Sequence, residues 1–325
     1  MKIVVLDSYP LDCGDVDWKK IESLGELVKF DSTSSGNFAD RVGDAEIILT
    51  NKVPVRAAEL AHLKKCRLVG VLATGANILD LEALASAGLV AVNVPGYGVQ
   101  DVAQHALALL LELARHTALH SQSVKSGEWQ KRGWCYWLKP PLCLTGLTLG
   151  LAGFGAIGKT MGSYGHALGM KILAWSRSGR GKADYPFEFA SLDQLLGASD
   201  VISLHCPVTP QTENMINAET LGKMKKGALL INTARGGLVD EQAVARALES
   251  GQLGGLGTDV MAIEPPDASS PLFRTPNTLI TPHMAWATLH ARQNIVDIMA
   301  ANIATWQKGS PVNVITPLQP ANRHE

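Results

Sequence analysis

The sequence predicts an α/β protein of two doubly wound parallel-sheet domains, one inserted within the other. Three observations carry this reading. Short apolar, β-branched runs alternate with helix-spaced segments along the chain. Several of those runs are almost wholly apolar, as parallel strands covered on both faces must be. A glycine-rich turn then falls near the middle of the 325 residues, behind about 150 residues, enough for a separate domain.

Taken in order, the strand-like runs of the first part are Lys2–Leu6, Leu27–Phe30, Ile47–Thr50, Leu68–Ala73 and Leu89–Val94. Between them Val55–His62 and Leu79–Ala87 show helical spacing. Val99–Lys125 lacks Pro and Gly and carries Leu at 107, 109, 110, 111, 113 and 119, so one long helix is expected. Residues 126–146 read as an irregular, aromatic linker and surface arm. The alternation resumes with Leu147–Ala152, Lys171–Ser176, Val201–Leu204, Ala228–Thr233, Leu256–Val260 and Thr278–Thr281. A last helix is expected over Thr288–Lys308, followed by Pro311–Ile315. That tail is expected to return to the first domain, which otherwise lacks a closing element. The expected plan is therefore 1–98 and 288–325 in one domain and 99–287 in the inserted one. The helices near 99–125 and 288–308 would be the crossovers and hinges.

Composition narrows the function. Hydrophobic residues make up 46% of the chain, ample for two cores, and the net charge is −1 with no block of like charge. Nothing therefore suggests a nucleic-acid or membrane partner. The N-terminus reaches Asp7 after four apolar residues, too few for a signal-peptide core. Five scattered cysteines, an odd number with no C-x-x-C pair, read as free thiols of a cytoplasmic protein. His205-Cys206 has no second ligand pair, so no metal is expected.

Gly153, Phe154, Gly155, Ala156, Ile157 and Gly158 spell G-x-G-x-x-G between a strand-like run and a helix expected to open at Ala156. Gly153 permits the turn, Gly155 admits a pyrophosphate, and Gly158 lets helix and strand approach. Helix N–H groups would then hold the phosphates. This context makes 99–287 a dinucleotide-binding, Rossmann domain and leaves 1–98 and 288–325 as a flavodoxin-like substrate domain.

Three polar residues fall where later strands should end: Arg235 after ALLINTA, Glu264 after GTDVMAI, and His283 after TLITP. In open α/β sheets ligands bind at that edge. Hydride transfer to a 2-keto acid calls for this set. Its carboxylate needs a planar, permanently charged fork, which Arg235 offers. The carbonyl oxygen needs a proton as hydride arrives, which a histidine can deliver near neutral pH. A carboxylate beside that ring favours its protonated form and fixes one tautomer. The expected catalytic roles are thus acid–base for His283, partner for Glu264 and substrate clamp for Arg235.

The chain resembles the D-isomer-specific 2-hydroxyacid dehydrogenase family over essentially its whole length. The matching stretches are TGANILD (74–80), NVPGYGVQDVAQHALALLLEL (93–113), GFGAIG (153–158), HCPVTPQTENMI (205–216), NTARGGLVDE (232–241), GTDVMAIEPP (257–266) and TPHMAW (281–286). The resemblance implies the same Arg235, Glu264 and His283. It implies backbone amides near Thr74, Gly75 and Ala76 on the substrate carboxylate, and Asp259 near the nicotinamide carboxamide. It implies His205, Cys206, Pro207, Thr212, Thr233 and Ala234 along the cofactor, with His283 also facing it. Trp286 is expected beside the nicotinamide, bordering the substrate. A homodimer formed mainly through the inserted domain is implied as well. GEWQKRGWCYW (127–137), NVPGYG and PHMAW are most similar to the glycerate dehydrogenase and hydroxypyruvate or glyoxylate reductase branch. Three of the seven Trp stand in that 127–137 arm, which packs on its own domain or crosses to a partner subunit.

An NAD-selective fold carries Asp or Glu about 20 residues past the turn. Here the run ends in Ser176-Arg177-Ser178, with Arg180 and Lys182 nearby. NADP is therefore the expected cofactor, with NAD possible. The rival readings are a phosphoglycerate or other D-2-hydroxyacid dehydrogenase and, in another class, a cofactor-sensing regulatory protein on the same fold. Formate dehydrogenases resemble this family but place Gln where Glu264 stands, and formate offers no alkoxide to protonate.

Overall fold

A computed structural model describes residues 1–317, so the end of the expected return segment, 318–325, lies outside the described residues. The chain divides into two compact units, one of residues 1–98 with the described residues from 287 on, the other of residues 99–286.

The first unit is built on β1 (Lys2–Val5), β2 (Glu26–Lys29), β3 (Ile47–Thr50), β4 (Leu68–Val71) and β5 (Val90–Val92). They lie in the order β2-β1-β3-β4-β5, every pair parallel. All residues of β3 and β4 are buried, which is why those runs carry no polar alternation. Val4, Ile48 and Val69 pack with Phe38, Val42 and Leu84 from the flanking helices Ser35–Val42 and Leu81–Ser86. The tail covers the open edge: Val314 bridges antiparallel to Val92, and Ile315 N donates to Ala91 O at 2.9 Å. Such cover removes an exposed strand edge.

The helix expected over Val55–His62 is only a 3-10 turn, Glu59–His62. Val55 is held extended, its N–H donating to Ile78 O and its carbonyl accepting from Asp80 N, both at 3.0 Å. A β-branched residue such as Val55 suits that conformation.

The second unit has seven parallel strands: β6 (Thr148–Ala152), β7 (Lys171–Trp175), β8 (Glu188–Phe189), β9 (Val201–Leu204), β10 (Ala228–Asn232), β11 (Leu253–Thr258) and β12 (Thr278–Ile280). Their order is β12-β11-β10-β9-β6-β7-β8, so the winding reverses between β6 and β9. Side chains alternate between two cores. Leu229 and Ile231 join Leu109, Leu110, Leu113 and Met161 on one side, and Leu230 joins Leu195, Val244 and Leu248 on the other. The short edge strand β8 had no signal in the sequence.

The single helix expected over Val99–Lys125 is two, Val99–Arg115 and Thr117–Lys125. His116 between them is left-handed, with φ of 52°. Glu112 makes the break: its carboxylate accepts from Ala118 N at 3.0 Å and from the Thr117 hydroxyl, capping the second helix. Within the arm expected to be irregular, Glu128–Arg132 forms a short helix. No helix among the described residues is long and apolar enough to cross a membrane.

Candidate active site

Because all pairings in the second sheet are parallel, its strands end on one edge, where the candidate residues collect. The glycine-rich turn follows β6. Gly153 has φ of +112°, and a Cβ there would lie 2.5 Å from the His205 carbonyl. A Cβ on Gly158 would lie 2.1 Å from Gly153 O, so only glycine lets the helix Ala156–Ala167 start against the strand. A Cβ on Gly155 would meet nothing within 4 Å, leaving open space over the helix N-terminus. Ala156 and Ile157 form the first helical turn. Phe154 is buried. This cradle has the shape a pyrophosphate needs.

After β7, Gly179 N donates to Ser176 O at 3.0 Å, closing a turn. The hydroxyls of Ser176 and Ser178 lie 3.4 Å apart. Arg177 is exposed, and no carboxylate pairs with it among the described residues.

After β9, His205 Nε2 meets the Ser203 hydroxyl at 2.9 Å, and burial pulls the imidazole down to about 4. Cys206 is buried against Met215, its thiol pushed up to about 11 by burial. Thr212 staples its own loop: its hydroxyl donates to Pro207 O at 2.7 Å and accepts from Thr209 N at 2.8 Å.

After β10, the Asn232 side chain accepts from Ala234 N at 3.1 Å and donates to Arg235 O at 2.9 Å, fixing the chain below the guanidinium. Arg235 is exposed, with Nη1 donating to Ala234 O at 2.6 Å. Thr233 is buried, and its hydroxyl has no partner among the described residues. An unpartnered buried hydroxyl costs about 1–3 kcal/mol, so this atom suits a ligand that supplies a partner.

Glu264 follows β11 and His283 follows β12. Glu264 Oε1 accepts from Met261 N at 2.9 Å, and Oε2 lies 2.6 Å from His283 Nδ1. A carboxylate can only accept, so Nδ1 carries the proton and Nε2 is the nitrogen left for other partners. The ring sits on a left-handed residue, φ 54°. That conformation costs about 1–3 kcal/mol outside glycine, and Asp259 sustains it. The Asp259 carbonyl accepts from His283 N at 2.8 Å. Its buried carboxylate accepts from the Thr281 hydroxyl at 2.6 Å, Met284 N at 2.9 Å and Ala285 N at 2.8 Å. Asp259, expected at the nicotinamide, thus has both oxygens engaged by the turn that presents His283. Trp286, expected beside the nicotinamide, donates its indole N–H to His283 O at 2.9 Å.

Sequence reasoning missed His105, whose Nε2 lies 2.9 Å from the Thr281 hydroxyl that Asp259 accepts from. It missed Glu241, which accepts from Ala262 N at 2.8 Å and steadies the Glu264 loop. His105 stands in a helix and Glu241 opens one, so nothing local marked either.

In the first unit, Thr74, Gly75 and Ala76 form the loop after β4, at the carboxyl edge of that sheet. The Thr74 hydroxyl donates to Val94 O, and Asn93 Nδ2 donates to Thr74 O, both at 2.8 Å. Among the described residues no cluster of three His, Cys, Asp or Glu side chains could hold a metal.

Residues 107–285 match the family described as D-isomer specific 2-hydroxyacid dehydrogenase, NAD binding domain. A hydroxypyruvate reductase of Blautia hydrogenotrophica is 42% identical over 320 residues, spanning 97% of this chain and 99% of its own. A glycerate dehydrogenase of Methylorubrum extorquens is 40% identical over 319 residues, spanning 97% and 98%. The solved structure of D-2-hydroxyisocaproate dehydrogenase is similar at a TM-score of 0.85 and 26% identity, covering 98% of this chain and 100% of that one.

Proposed function

Because the chain belongs to the D-isomer-specific 2-hydroxyacid dehydrogenase family, we propose that it reduces hydroxypyruvate or glyoxylate to the D-2-hydroxy acid, with NADPH preferred and NADH usable. That it is a nicotinamide-dependent 2-hydroxyacid dehydrogenase follows from the family. The observation that carries the reduction chemistry is the 2.6 Å pair of Glu264 and His283 on the sheet edge that also bears Arg235, and the similarity to a hydroxypyruvate reductase and a glycerate dehydrogenase supports the substrate.

The site fits the cofactor: open space at Gly155 and the unpartnered Thr233 hydroxyl both call for a ligand. The backbone of 153–158 would hold its pyrophosphate. His205, Cys206, Pro207, Thr212 and Ala234 would line its path. When bound, the reduced nicotinamide supplies the hydride. Arg235 grips the substrate carboxylate with its fork, and the amides of residues 74–76 are proposed as further donors. His283 gives the proton on Nε2 to the carbonyl oxygen as that oxygen gains charge. Glu264 holds Nδ1–H and keeps the ring aimed while Nε2 gives up its proton. Asp259, His105 and Trp286 keep the ring aimed by holding its turn. Such positioning is worth several kcal/mol in oriented reactions.

The five cysteines are unpaired, and the cytoplasm is the proposed compartment. A homodimer through the second unit is proposed from its arm. Trp134 there is 91% exposed, and Trp129, Trp137, Leu138 and Leu142 are exposed beside it. Apolar surface of that extent is normally covered by another chain. A Trp134→Asp variant that stays dimeric in light scattering argues against the arm's role.

The deciding assay is kcat/KM for hydroxypyruvate, glyoxylate and bulkier 2-keto acids with each cofactor. The two small acids should lead with NADPH. Turnover of none of them would overturn the reading.

A further inference from the structure

Strands β7 and β8 are parallel neighbours, so the chain from 176 to 187 must cross from the end of one to the start of the other. Such crossovers are usually made by a helix packed on the sheet. This one contains no helix, yet it carries Ser176, Arg177 and Ser178. What packs instead is a row of rings. Tyr185, Phe187 and Phe189 turn one face onto the core that holds Phe154.

That face meets the glycine-rich turn. The Phe187 ring lies 4.5 Å from that of Phe154, centroid to centroid, at an interplanar angle of 34°. Phe189 stands edge-on to both, at 5.4 Å from Phe154 and 5.2 Å from Phe187. Tyr185 meets Phe187 at 6.2 Å, and its hydroxyl donates to Lys159 O at 2.8 Å. A Cβ on Gly181 would lie 3.0 Å from the Phe154 ring, so the middle of the crossover also rests on it. Offset and edge-on pairs of this kind hold a segment more firmly than simple burial alone.

We propose that Phe187 is a positioning residue for cofactor discrimination: stacked on Phe154, it fixes the 176–187 crossover and with it the place of Arg177. The proposal rests on the NADPH reading. Arg177 has no carboxylate partner of its own among the described residues. Its donors can select a 2′-phosphate only if the chain bearing them is ordered beforehand, since ordering at binding subtracts from affinity.

The test compares KM for NADPH and NADH, with melting temperature, in wild type, Phe187→Leu, Phe187→Ala, Phe187→Tyr and Arg177→Ala. Phe187→Ala should raise KM for NADPH about three- to tenfold, the size of one lost ordering contribution, and change KM for NADH less than about twofold. Phe187→Tyr should restore NADPH use, with Phe187→Leu between. Adding Phe187→Ala to Arg177→Ala should cost nothing further, because the residue being positioned is gone. Equal losses with both cofactors, no loss with either, or full additivity with Arg177→Ala would overturn the proposal while NADPH preference in wild type stands. A wild type that favours NADH, with Arg177→Ala silent, removes the NADPH reading and this proposal together.

Discussion

His283 Nδ1 and Glu264 Oε2 lie 2.6 Å apart, tying the loop after β11 to the loop after β12. The other oxygen of Glu264 is fixed by Met261 N at 2.9 Å. The carboxylate is therefore anchored on one side and directs the ring with the other. This leaves Nε2 as the atom through which the pair can act, with the tautomer fixed by the carboxylate.

Removing the ring tests the proton-donor role directly. His283→Ala should lower kcat by about 10²–10⁴, the usual contribution of a positioned acid. Cofactor binding, followed by nicotinamide fluorescence, should be largely kept. More than half the activity remaining would mean another group supplies the proton.

Glu264→Gln keeps an acceptor and a similar shape but removes the carboxylate that holds His283 Nδ1–H at 2.6 Å. An amide can turn its NH2 as well as its oxygen toward the ring, so the tautomer and aim of the imidazole are no longer fixed. The variant should lose about tenfold or more in kcat while KM for NADPH stays near wild type. An unchanged kcat would show that the contact has no part in catalysis.

Arg235→Lys keeps the charge but not the fork. KM for the keto acid should rise strongly, because a lysine cannot reproduce a bidentate pair. NADPH affinity should stay near wild type, since Asn232 still holds the backbone there through Ala234 N and Arg235 O. Equal damage to both would assign Arg235 to the scaffold.

Much of this site was legible in the sequence because its signals are local. Buried parallel strands read as apolar runs, and Arg235, Glu264 and His283 are the polar residues at their ends. In the G-x-G-x-x-G turn, Gly153 and Gly158 stand where backbone and Cβ leave no alternative. The rest depends on contacts across long separations. His105, Asp259 and Thr281 meet only after three segments assemble. The helix break at His116 was illegible because no Pro or Gly marks it, while Glu112 acts through its side chain. The stack of Phe187 and Phe189 on Phe154 likewise joins residues more than thirty positions apart, which no local pattern announces.

His205 gives a prediction about stability. Its ring sits at about 4 in the folded protein against an ordinary 6.5, because burial disfavours the charged form. As pH falls the unfolded chain takes up this proton first. The stabilising effect of a neutral ring is therefore full above about 6.5 and is lost between 6.5 and 4. His205→Gln should flatten the fall in apo-protein stability between pH 7 and 5 by on the order of 1–2 kcal/mol. Chemical denaturation at both values measures it, and parallel slopes in both proteins would refute it.

Cofactor preference turns on charge at the end of β7. A 2′-phosphate carries about two negative charges at neutral pH, so an acidic residue there would repel it and bind the ribose hydroxyls instead. Ser176 and Ser178 are small and can donate hydrogen bonds, and Arg177 offers paired donors on an exposed turn. Loss of one charge-assisted contact costs about 1.5–3 kcal/mol, or about ten- to a hundredfold in affinity. Arg177→Ala should raise KM for NADPH by that factor and leave NADH almost unchanged. Ser176→Asp should go further and reverse the preference, because it adds repulsion to NADPH and a ribose acceptor for NADH. Steady-state kinetics with both cofactors decide the matter. A wild-type enzyme with the higher kcat/KM for NADH would show that the basic turn is merely solvated, while the roles of Arg235, Glu264 and His283 would be untouched.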